Sequence, residues 1–489
     1  MHARRIRTKA GQIGSASHGL IPSQSGNCLF ACATIMSGYV YDLPTTGALS
    51  LSELCTDITG SHASNLARAT EARANVRAIL KASRRTDAGE RDYLKVVKAL
   101  DEYIPFVNAI IASVAADDLT LAQEPIFSWR STLSHSTLSD PPRINVHGLH
   151  SELAFVLYSS AYALSNLAAA SVASLGTYER DRALADADRR AKDEKLTFAV
   201  KLLCRAAGIF TRVAQVVVPE LGKVGGQRPP ELREDVANAL AKLALADAHA
   251  LSVRKLLTRS AVQAALSPGP PLPQGHPPPA LVAKMYLYTA SLFGSARGLT
   301  DTSQRKLSLL SRGGDNAEVS QDIRRYLEEE AALTEALAHK WLGVDAGEAG
   351  RTGDAVGYLK WAKSELESLK EGKLKFKKSG GTDGKMKKER SVEELESIGM
   401  FLNNYLKVND SINFQPVPPS STLQSTVPAG MSVVTEKAYE APMSAFGPGT
   451  PDYVARHVQK LDLDTTTSPG PDPEPKEDDR DYGLKGSYF

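Results

Sequence analysis

Catalysis needs nucleophiles, acid–base pairs or phosphate cradles at telling spacings, and this 489-residue chain offers few of them. The run Gly380-Gly381-Thr382-Asp383-Gly384-Lys385 superficially resembles a phosphate-binding loop, but Ser379 occupies the upstream glycine position and Met386 replaces the hydroxyl that would hold magnesium. Nucleotide binding is not expected. His147 and His150 can share one helix face, yet no third ligand stands at metal-binding spacing, so they read as surface or capping histidines. No G-x-S-x-G elbow occurs, and Cys204 sits in an apolar helical stretch where burial keeps a thiol protonated and inert. The expectation is therefore no catalytic residue, no cofactor, no metal and no enzyme activity.

Composition points the same way. A hydrophobic fraction of 42%, a charged fraction of 23% and a net charge of +2 describe a globular chain with no global field for nucleic acid. The basic stretches also lack the interleaved aromatics of a nucleic-acid surface. Four cysteines, Cys28, Cys32, Cys55 and Cys204, are too few for a disulfide framework in so long a chain, which suits a reducing cytoplasm. Residues 1–41 contain no acid and carry Arg4, Arg5, Arg7 and Lys9, the composition of a transit peptide. Gly11, Gly14, Gly19 and Pro22 oppose a helix there, so residues 1–38 are expected to be a disordered or uncertain extension.

The elements that would position any site are mostly helical. Pro44-Thr45-Thr46-Gly47 is turn chemistry between short extended pieces. From Tyr93 to Val107, and then over 148–175, 179–218, 230–266 and 279–297, apolar residues recur every three or four positions, as on one face of a helix. A pair of segments follows at 317–345 and 352–372. In that pair Leu333, Ala336, Leu337 and Trp341 face Ala355, Tyr358, Leu359, Ala362 and Leu366, with Gly350 and Gly353 at the turn. This hairpin resembles one tetratricopeptide unit. Because such hairpins bury both faces only by stacking on neighbours, the expected fold is mainly α: an elongated, curved helical solenoid with a small N-terminal β element.

Three segments break the array. Residues 267–279 hold seven prolines in thirteen positions, with Pro268 and Pro271 in a PxxP spacing, and read as a stiff loop with an SH3 docking site as the alternative. Residues 370–390 carry nine Lys or Arg against three acids, and Lys373, Lys375, Lys377, Lys378, Lys385, Lys387 and Lys388 could form a loop that meets an anionic membrane surface. Residues 451–489, acidic and proline-containing from 462, are expected to be a disordered tail.

The run Asn409-Asp410-Ser411-Ile412-Asn413-Phe414-Gln415-Pro416-Val417-Pro418 is similar to the element that closes Bro domains. Phe127-Ser128-Trp129, the helix from Glu152 and the hairpin at 333–366 match other parts of that family in order, so the chain resembles the Bro-domain family over about 40–450, a domain placed at 39–450. Leu43-Pro44-Thr45-Thr46 and Val433-Val434-Thr435-Glu436-Lys437-Ala438-Tyr439 resemble the members that act in fungal ambient-pH signalling. The resemblance implies a cytoplasmic adaptor, recruited to the plasma membrane or endosomal surface. It would bind the C-terminal helix of an ESCRT-III filament subunit and link a membrane pH-sensor complex to PalA and the calpain-like protease that processes the transcription factor PacC. It further implies an apolar groove at Leu281, Met285 and Leu251, with Leu281 and Met285 as core residues the competing reading. The family's basic position falls on Thr197, and Lys195 or Lys201 would have to supply the charge. Two alternatives stand beside this one: a general ESCRT-associated sorting scaffold, and a membrane-surface protein using the lysines of 370–390.

Overall fold

A computed structural model describes residues 38–134, 141–222, 228–310, 318–375 and 382–466. The chain enters through a short helix, α1 (Leu51–Leu54), and strand β1 (Cys55–Asp57), which pairs antiparallel with β2 (Leu119–Leu121). Between them lie α2 (Ala63–Arg85) and α3 (Tyr93–Ala115). Strands β3 (Ile126–Arg130) and β4 (Arg143–His147) form a second antiparallel pair, in which Phe127 faces Val146 and Trp129 faces Ile144. The turn chemistry of 44–47 contributes a single bridge, Thr46 to Trp129.

Helices then follow one another: α4 (Leu149–Ala173), α5 (Asp186–Arg212), α6 (Glu234–Leu266), α7 (Pro279–Leu310), α8 (Gln321–Glu348), α9 (Thr352–Lys375) and α10 (Thr382–Val408). Each of α2 to α10 packs chiefly on its neighbours in sequence, which is the solenoid arrangement. The stretch Leu149–Arg180 is long and apolar enough to cross a bilayer by composition, but 83% of its most apolar window is buried, so α4 works as the core helix of the array. The forty-residue segment read over 179–218 is divided. A single turn at Tyr178–Arg180 precedes α5, and a wider turn at Val213–Val217 closes it.

Two apolar clusters hold the described residues. One gathers α1 to α6 with Phe293 of α7 and the start of α8 around Trp129, Phe155, Tyr162 and Phe210; the other gathers the rest of α7 and α8 with α9 and α10 around Val282, Leu337, Leu359 and Phe401. Where α8 crosses α9, a side chain at Gly343 would meet Leu359 and Ala355, so the small residue lets the helices approach closely. Gly350, at φ +79°, makes the turn between them.

The basic stretch 370–390 is mostly helical, not a loop. Lys373 and Lys375 lie on the last turn of α9, and Lys385, Lys387 and Lys388 on the first turns of α10, while Lys377 and Lys378 lie outside the described residues. Lysine is a good helix former, and the lower part of α10 supplies what anchors it: Arg390 pairs with Glu330 and Lys340 with Glu394, both buried. The tail differs too. Its first sixteen residues form α12 (Pro451–Thr466), after the short α11 (Ser420–Leu423), and 467–489 fall outside the described residues, as do 1–37.

Candidate partner-binding surface

The closing element at 409–418 earns its sequence pattern through hydrogen bonds. Asn409 is 4% exposed; its Oδ1 accepts from Thr352 Oγ1 at 2.7 Å and from the Gln415 amide at 3.1 Å, while its Nδ2 donates to the Gln415 carbonyl. A buried amide held by three hydrogen bonds fixes one local geometry. The returning chain then lies against Gly353 and Gly357 of α9, where any side chain would collide with Pro416 and Pro418.

Beyond α11 the chain runs back across the helices as an extended strap. Met431 N donates to Lys284 O on α7, Lys437 N to Cys204 O on α5, and Ala445 N to Pro105 O on α3. Between the first two anchors, Ser432 Oγ stands 3.4 Å from Nε2 of His249 on α6. His249 has no exposed surface, and burial pushes its imidazole down to about 4 against the opposing pull of the Val434 backbone. The unfolded histidine titrates near 6.5, so stability is complete above that pH and is lost as pH falls towards 4, because the unfolded chain takes up the proton first. The loss amounts to about 3 kcal/mol. Denaturant midpoints measured from pH 7 to 4 should therefore fall more steeply for the parent than for His249→Gln, and parallel curves would remove this role.

The sequence-derived groove residues separate. Leu251 is 1% exposed and Met285 3%, so both fill the core, the competing reading, and present nothing to an incoming helix. Leu281 is half-buried against the second cluster. Lys195 and Lys201, by contrast, are exposed on α5, and between them stands Phe198, 50% exposed. Positions 194, 198, 201 and 205 recur at helical spacing and are all exposed, while Leu196, Ala199, Val200 and Leu203 turn inward. The exposure of Phe198 depends on which neighbours enclose α5, and the spacing of apolar residues along the chain does not give that. Beside Thr197, where the family's basic position falls, Lys255 Nζ of the neighbouring helix donates to Thr197 Oγ1 at 2.6 Å. Phe198 thus stands exposed on a face that also carries Glu194, Lys195, Lys201 and Arg205, with Lys255 of α6 beside it.

The histidines and cysteines singled out in the sequence have ordinary surroundings. His147 sits 3.3 Å from Glu124, and His150 is held below its usual value by burial. Burial pushes the Cys55 thiol up to about 11 and raises that of Cys204, so neither is an activated nucleophile. The proline-rich loop is docked: the His276 ring stacks on Trp341 with centroids 5.0 Å apart, Pro268 is half-buried and only Pro271 of the PxxP pair is exposed.

Neighbour-packed helices, two small sheets and a returning strap define a helical array of stacked neighbours. The BRO1-like domain family matches residues 50–446, and the chain belongs to that family. It is 34% identical to the pH-response regulator protein palC of Cryptococcus neoformans var. neoformans, an alignment covering 93% of this chain and all of the relative. It is 26% identical to the palC protein of Emericella nidulans, over 83% of this chain and 89% of that one. Among solved structures, the ALIX BRO1 domain in its complex with CHMP4C superposes with a TM-score of 0.56 over 84% of this chain and 98% of its own, at 16% identity, a likeness that speaks to the fold.

Proposed function

We propose that the chain is a non-catalytic adaptor of ambient-pH signalling that receives the C-terminal helix of an ESCRT-III subunit on the α5–α6 surface around Phe198. The pH-signalling part rests on the palC relatives, and the docking part on the BRO1 fold of the ALIX–CHMP4C complex. The single observation that carries the site is the half-exposed Phe198 ring with Lys195, Lys201 and Lys255 around it. Holding such a helix would bring the protein to the plasma membrane or endosomal surface and join the pH-sensor complex to PalA and the calpain-like protease acting on PacC.

Fluorescence polarisation with a labelled ESCRT-III tail peptide tests this reading. Micromolar binding is expected from the parent. Phe198→Asp should weaken it at least tenfold, because the change removes apolar area and places a carboxylate that must be desolvated in the contact. Lys195→Glu with Lys201→Glu should weaken it further and reduce its salt dependence. Unchanged affinity in a folded Phe198→Asp protein moves the site elsewhere, and no binding by the parent removes the ESCRT-III limb of the proposal.

A further inference from the structure

On α8, Glu335 and His339 stand one helical turn apart, and Glu365 of α9 faces them. One ligand atom from each of the three lies within 4.8 Å of the others. His339 is 2% exposed, and its ring lies on Trp361 with centroids 3.7 Å apart and planes 23° apart, so its orientation is fixed before any ligand arrives. Its Nδ1 points at Glu365 Oε2, 2.9 Å away. Glu335, on the same side, is exposed and opens the cluster to solvent.

An imidazole needs one carboxylate for an ion pair. A second carboxylate brought to the same few ångströms repels the first unless positive charge sits between them. One imidazole with two carboxylates is the donor set of a first-row divalent transition metal, with a further coordination position left for water; magnesium and calcium favour oxygen donors throughout. The geometry points to a divalent transition-metal site at Glu335, His339 and Glu365 that clips α8 to α9. Nothing in this site depends on the Phe198 surface, and it stands or falls separately from the adaptor reading.

The test uses the full chain, stripped with chelator and desalted, and zinc alone as the probe. Calorimetric titration is expected to give one zinc per chain, and zinc should raise the thermal midpoint by several degrees while magnesium leaves it unchanged. Glu335→Gln alters an exposed side chain, so it should fold as the parent does and bind zinc at least tenfold more weakly; Glu365→Gln should do the same. Cobalt substituted for zinc should absorb in the visible without a near-ultraviolet thiolate band. Zinc affinity unchanged in Glu335→Gln and Glu365→Gln, a thiolate band that persists in both, or no zinc uptake by the parent would each overturn the site.

Discussion

Replacing Glu152 with alanine is expected to cost about 3–5 kcal/mol, the scale of breaking a buried ion pair, and to leave the chain near the edge of folding at 37 °C. Glu152 lies in the first turn of α4 and is 1% exposed. Its carboxylate accepts from Arg73 Nε at 2.8 Å, Tyr103 Oη at 3.1 Å and Trp129 Nε1 at 2.6 Å. Arg73, 2% exposed, also donates to the Gly47 carbonyl and to Thr46 Oγ1. One carboxylate thus ties α2, α3, β3 and the 46–47 turn to α4. Without it the guanidinium stays buried with no counter-charge, and this uncompensated cation, more than the lost bonds, sets the size of the effect. Urea denaturation of Glu152→Ala beside the exposed control Glu71→Ala measures it. The double change Arg73→Met with Glu152→Leu should recover much of the loss, since an apolar pair of similar volume leaves no buried charge. A loss under about 1 kcal/mol for Glu152→Ala would mean that the Arg73 charge is solvated in the variant.

The second large effect concerns the strap. Gly208, on α5, lies directly beneath the Lys437 carbonyl, and a Cβ there would collide with that oxygen. The strap cannot lift at this point and keep its bond, because Lys437 N also donates to Cys204 O at 3.0 Å. Gly208→Val is therefore expected to detach the strap between its anchors at Met431 and Ala445, at a cost of about 1–3 kcal/mol, the usual range for overpacking. Limited trypsin digestion gives a direct readout, because Lys437 is exposed and lies within the detached span. Cleavage after Lys437 should accelerate strongly in the variant, while sites in α4 and α6 stay protected. A digestion pattern identical to the parent's would show that the helix moves and the strap does not.

The array was legible where burial imposes a strict period. Over α3, α4, α6 and the α8–α9 hairpin the apolar spacing alone places the helices, and Gly350 marks the turn because a left-handed residue there suits glycine. The helix α2 was not legible. Its sequence is rich in arginine and alanine, and only Leu66, Ala69, Val76 and Leu80, with Arg73 and Ser83, mark its buried side. Nor was the start of α10, whose lysines read as a loop; Arg390, further along that helix, pairs with Glu330 sixty positions earlier.

For the candidate surface, the amino-acid order fixed which side chains could take part and could not say which of them face outward. Leu251, Met285 and Phe198 are all apolar residues on helices, and period alone does not separate an inward from an outward position when a helix is flanked on several sides. Packing decides that. Neighbouring helices enclose Leu251 and Met285, while Phe198 falls on the open side of α5 and Lys255 arrives beside Thr197 from α6. The sequence by itself determined a helical array and the Asn409 closing element, because local periodicity and a self-contained hydrogen-bond motif need few distant partners. Tertiary structure alone decided the exposed anchor, the Glu335–His339–Glu365 cluster and the path of the strap, because each joins groups on separate elements and exists only once the helices are stacked.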